Sequence, residues 1–135
     1  MVDNVHHPEH YKNATGSIEP IVFCRRFPFC FGNYCKYVLR APFKNGTEDL
    51  KKALVYLKWA KDDLSYQQGF WNQLIDSREL AHCFNSEILT HFFSFNLDSF
   101  YSDLRAHFDK EINYLDSMIV AIDALRTDAP AGGAE

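Results

Sequence analysis

The sequence predicts an all-α fold, and two observations carry that expectation. Apolar residues recur every three or four positions through "EDLKKALVYLKWAKDDL" and again from Phe108 to Leu125, as one face of a helix requires. No alternation of apolar and polar residues persists for more than a few positions, so no regular strand pattern competes. About five helices are expected, with an extended N-terminal arm that admits a short β-element, and a long C-terminal helix packed antiparallel on a preceding helix.

Residues 1 to about 16 predict the arm, because Pro8 and "KNATG" interrupt any helical spacing. Ser17 is positioned to cap a short helix through "IEPIVFCRRF", with Pro20 tolerated in its first turn and Pro28 at its end. A second helix follows from Phe29 to Leu39 or Arg40, with Phe31, Cys35, Val38 and Leu39 as its apolar side and Pro42 as its stop. After the turn "APFKNG", Thr47 is expected to cap a third helix, where Glu48 and Asp49 suit the positive end of the helix dipole. That helix runs to about Ser65, and Lys51, Lys52, Lys58 and Lys61 read as solvated.

Beyond residue 66 the Gly of "YQQGFWNQLIDS" predicts a join or a short helix. Ser77 then opens a pattern through Leu80, Phe84, Ile88 and Phe92 to about Phe95. Asn96 or Asp98 is the expected cap of the last helix, whose apolar positions include Phe100, Leu104, Phe108, Leu115, Ile119, Ile122 and Leu125. The small-residue end "TDAPAGGAE" predicts a disordered tail. The division expected is 1–65, a helical extension over 66–128, and the tail over 129–135.

With 135 residues, 47% of them hydrophobic, the chain has the makings of one globule with an appendage. Twelve Phe and seven Tyr are more than a domain this small easily hides, so self-association is expected. A net charge of −4 argues against broad, non-specific nucleic-acid binding, which needs a basic face. No apolar run is long enough to span a membrane, and "MVDNVHHPEHYK" lacks a signal-peptide pattern, so a cytosolic protein is expected. Cys24, Cys30, Cys35 and Cys83 form no CxxC pair and read as buried thiols. His6, His7 and His10 lack paired metal-ligand spacing, and no metal site is expected.

The chemistry-bearing feature is the outer side of the second helix. Asn33, Lys36, Tyr37 and Arg40 stand at offsets of three, four and seven, with Lys44 just beyond, so donors and cations converge on one patch suited to an anion. Spacing alone equally fits a plain surface. Asp49 and Lys52 either complete that patch or decorate the third helix. Glu87 with His91, and His107 with Glu111, lie one helical turn apart and are expected to make structural hydrogen bonds. The run "HFFSFNLDSFY" reads as core or interface.

"HPEHY" at 7–11, Gly-x-x-Glu at 16–19, "FGNYCKYVLRA" at 31–41, a Lys-Asn turn and "EDLKKALVYL" at 48–57 resemble a small family of phage and prophage proteins, catalogued as a domain of unknown function. The resemblance covers about residues 5 to 60. That family includes an atypical nucleoside monophosphate kinase of a lytic coliphage without a P-loop, and this chain likewise has no G-x-x-x-x-G-K-[ST]. The resemblance implies a nucleotide-binding protein of the bacterial host cytoplasm, homo-oligomeric, and, as one activity within that, phosphoryl transfer with a nucleoside triphosphate as donor. It implies His10, Lys36 and Arg40 as catalytic groups, and Tyr11, Asn33, Lys36, Tyr37, Arg40 and Lys44 as nucleotide contacts. Two competing expectations belong to other classes. One is a phage inhibitor that binds a host defence protein, anti-CRISPR-like or another immune antagonist, through the acidic, aromatic helical half. The other is a nucleotide sponge that binds without turnover.

Overall fold

The computed structural model describes residues 19–43, 47–66, 69–98 and 103–127. Among these there are seven α-helices and no strand, as the all-α expectation requires. They are α1 (Pro20–Cys24), α2 (Phe29–Arg40), α3 (Thr47–Asp63), α4 (Phe70–Asp76), α5 (Arg78–Ala81), α6 (Glu87–Phe92) and α7 (Leu104–Thr127). The N-terminal arm, Ser17, Phe100 and the C-terminal tail lie outside the described residues.

Proline punctuation sets the first two helices. Pro20 occupies the first turn of α1, where its missing N–H costs nothing. Glu19 stands at the N-cap without a side-chain bond, and α1 ends at Cys24, short of Pro28. Pro28 precedes α2, which spans the expected Phe29 to Arg40 and relaxes into a 3₁₀ turn over Ala41–Phe43, where Pro42 prevents continuation of the α-helix. Gly32 lets α1 close on α2: a Cβ there would stand 2.8 Å from the Cys24 carbonyl oxygen.

Two expected caps are corrected. Thr47 is already the first residue of α3, and its hydroxyl donates to Asp123 Oδ1 at 2.7 Å, so it ties α3 to α7. Neither Asn96 nor Asp98 starts the last helix. Asn96 Oδ1 accepts from the Asp98 N–H at the start of the separate helical residues 97–98, while Asp103 Oδ1 accepts from the Ala106 N–H at 2.9 Å and caps α7. The helix expected from Ser77 to Phe95 is broken. Asn85 adopts a left-handed φ of 52°, and Ser86 then caps α6 by accepting the Leu89 N–H. Gly69, at φ 80°, likewise marks the join before α4.

α3 and α7 run antiparallel. Thr47 and Lys51, near the start of α3, meet Asp123 near the end of α7, whereas Lys61 meets Asp109 and Ser65 accepts from Arg105. Lys51 and Lys61 are thus paired across helices, where the sequence suggested free solvation. Such solvent-exposed pairs fix register more than they stabilise, because water screens their attraction.

The core is built on rings. Phe31 of α2 is fully buried and meets Phe27, Tyr34, Phe70, Phe92, Phe93 and Phe108 at centroid distances of 4.9–6.1 Å, edge-to-face or tilted. Those partners come from the α1–α2 turn, α2, α4, α7 and the α6 region, so one cluster spans both halves of the chain. Phe92 and Phe93 of the aromatic run are core. Tyr34, unmarked by the apolar pattern, is buried too, whereas Leu125, placed on the apolar stripe of α7, is 73% exposed. Cys24 and Cys35 are buried as expected, but Cys83 is exposed.

Candidate functional site

α2 lies between α1 and α3, and this divides the four residues that helical spacing groups together. Asn33 and Lys36 line a groove of about 440 Å³ between α1 and α2, walled by Pro20, Ile21, Cys24, Phe27, Pro28, Phe29 and Gly32, with Arg25 at its edge. Tyr37 and Arg40 turn toward α3. His10, Tyr11 and Lys44 lie outside the described residues.

Asn33 Nδ2 donates to the Phe29 carbonyl at 2.9 Å, one turn back, which leaves Oδ1 as its acceptor. Lys36 is exposed, and its Nζ lies 5.6 Å from the Tyr37 ring centroid. Cys24 contributes wall, not chemistry. Burial, partly offset by the charge of Lys36, pushes its thiol up to about 12, so no thiolate nucleophile forms near neutral pH.

The α3 flank has different physics. Tyr37 stacks on Tyr56 at 5.8 Å with an 11° interplanar angle, and Lys52 Nζ approaches the Tyr37 ring to 5.6 Å, matching Lys36. Two cations therefore approach one ring, each contact contributing about 0.5–1 kcal/mol at an exposed site. Trp59 packs edge-on against Tyr56 and is itself 53% exposed. Arg40 Nε stands 3.2 Å from Asp49 Oδ2. Their alignment falls short of a hydrogen bond, so Oδ2, though buried, accepts none. Asp49 thus pairs with the Nε side of a half-exposed Arg40. Helical spacing cannot reveal this pairing, because the partner comes from another helix.

A second polar cluster lies where α6 meets α7. His91 Nδ1 is 2.6 Å from Glu111 Oε1, and Glu111 is 1% exposed with Oε2 unpartnered. The His91 ring stacks on Tyr114 at 3.6 Å, and His107 Nε2 contacts the Phe92 carbonyl at 2.8 Å. The expected structural bonds are present, but they cross between helices instead of closing one turn within each. Burial holds the His107 imidazole below its ordinary value, against the Phe92 carbonyl and Glu111. Among the described residues no group of three or more His, Cys, Asp or Glu is arranged to hold a metal ion. No described helix is long and apolar enough to cross a membrane.

No curated protein and no solved structure matches the chain. Over residues 5–58, which take in α1, α2 and most of α3 and so both flanks of the candidate site, the chain matches the model of a family described as a protein of unknown function, DUF3310.

Proposed function

We propose that the protein binds nucleotides through α2, with Lys36 on phosphate and Asn33 Oδ1 accepting from the base or sugar. The observation that carries this is the groove: it is apolar in its walls, of a volume suited to a small molecule, and bordered by two of the residues that the sequence marks as anion contacts. Lysine offers phosphate a compact charge with three donors, and an apolar wall receives an aromatic base. In this reading Tyr37 and Arg40, on the adjoining flank, take part only with a longer phosphate chain that extends beyond the groove. The narrower proposal, phosphoryl transfer to a nucleoside monophosphate, adds charge compensation by Lys36 and Arg40 around the transferring group.

The test is a thermal-shift and calorimetric screen of the purified chain against nucleoside mono-, di- and triphosphates, with Lys36→Ala as control. A ligand at a hundred times its Kd adds about 2.7 kcal/mol of stability, and Lys36→Ala should remove that shift. Absence of any shift with every nucleotide overturns the proposal. A turnover assay with a nucleoside triphosphate donor then separates a kinase from a protein that binds without reaction.

A further inference from the structure

The groove between α1 and α2 has a second cation that the sequence patterns did not single out. Arg25 stands at the C-cap of α1 and lines the groove edge, and among the described residues no carboxylate pairs with it or with Lys36. The whole chain carries a net charge of −4, so two unpaired cations bordering one cavity are a local reversal of sign. Lys36 reaches the groove from α2 and Arg25 from the C-cap of α1, so the two cations that line it come from different helices. The remaining wall is apolar, and Ile21 and Phe29 present 48% and 74% of their surfaces to water beside it. Gly32 contributes no side chain, so the groove floor is backbone drawn tight by the close approach to Cys24.

An apolar wall with cations along one edge selects a ligand with a flat apolar body and an anionic head. Resting on the nucleotide-binding proposal above, we infer that the groove is a mononucleotide site, in which the base lies against Ile21 and Phe29 and the 5′-phosphate is shared by Arg25 and Lys36. The guanidinium can grip two phosphate oxygens at once while the lysine supplies a point charge, a division of labour that two lysines would not give. The cavity volume of about 440 Å³ accommodates one nucleotide, and the chain's net charge of −4 disfavours a polymer of phosphates.

The experiment is isothermal calorimetry on the full chain with a nucleoside monophosphate, the corresponding nucleoside and inorganic phosphate as probes. Arg25→Ala is compared with Arg26→Ala, the neighbouring exposed cation that does not line the groove. Arg25→Ala should weaken the nucleotide by about tenfold or more, as loss of a charge-assisted contact does, and leave the nucleoside unchanged. Arg26→Ala should stay within about twofold. Ile21→Glu, at an exposed position, should weaken nucleotide and nucleoside alike. If nucleotide binds but Arg25→Ala behaves as Arg26→Ala, or if inorganic phosphate binds as tightly as the nucleotide, this assignment of the groove is overturned while nucleotide binding itself stands. Tighter binding of an oligonucleotide than of the monomer also overturns it. If no nucleotide binds the unaltered chain, both proposals fall together.

Discussion

The two faces of α2 make the most instructive comparison in the molecule. Both carry aromatic rings, and both are set by the same 3.6-residue repeat. On the inner face Phe31 and Tyr34 are sealed among rings from four other parts of the chain. On the outer face Tyr37 touches one ring and two lysines at the edge of water. The difference teaches that a ring's contribution depends on how many neighbours close around it. A buried Phe gains from water exclusion and dense packing together, whereas a surface stack gains only its pair term.

The sharpest way to break this contrast is to remove one ring from each face. Phe31→Ala should cost about 3–5 kcal/mol in urea unfolding, because a large cavity opens where six rings converge. A smaller loss would mean that the surrounding rings collapse into the space, and the hub would be less rigid than its edge-to-face geometry suggests.

Alkali should act next, on the thiols and the phenol that packing around α1 and α2 buries. Burial pushes the Cys24 thiol up to about 12 and raises Cys35 and Tyr34 well above their ordinary values. Because these groups resist ionisation only when folded, their contribution is fully present below the ordinary thiol value near 9 and is lost as pH rises from there toward about 12. The thermal midpoint should therefore fall steadily above pH ~9. Replacing Cys24 and Cys35 together by Ala should flatten that slope. An unchanged slope would place the alkaline weakness elsewhere.

Tyr37→Ala is the smallest effect. It should cost about 0.5–1.5 kcal/mol, the value of a ring pair, with the fold otherwise intact. A loss as large as that of Phe31→Ala would erase the distinction between the faces and make Tyr37 part of the core.

How much of this was legible follows from the kind of signal each element used. α2 could be read to within one residue of its end, because Pro28 and Pro42 bracket it and its apolar spacing is unbroken. The segment from Ser77 to Phe95 was misread as one helix. Its apolar repeat continues in phase across Asn85, while the break rests on a single left-handed residue and the Ser86 cap, both local signals that periodicity masks. The start of α7 was misplaced for a similar reason: Asn96, Asp98 and Asp103 are all competent caps, and only the path of the chain selects Asp103.

The site was legible as a set of residue types and not as an arrangement. Spacing along α2 correctly grouped Asn33, Lys36, Tyr37 and Arg40 on the side away from Phe31. It could not divide that group between α1 and α3, because the repeat describes one helix and is silent on which neighbour flanks each edge. Arg25, Lys52, Tyr56, Asp49 and Trp59 were missed as site members, or left undecided, on the same ground.

By itself, then, the sequence determined the helical class, the extent of α2, and which of its sides faces the core, since these depend on local propensity, proline stops and a periodic apolar stripe. The tertiary structure alone decided that Gly32 brings α1 within 2.8 Å of a would-be Cβ, that Asp49 holds Arg40, and that Arg25 joins Lys36 at one groove. Each of these is a meeting of residues from different helices. Such meetings are fixed by packing a shared core, where every ring must find space among the others, and no pattern along a single helix encodes them.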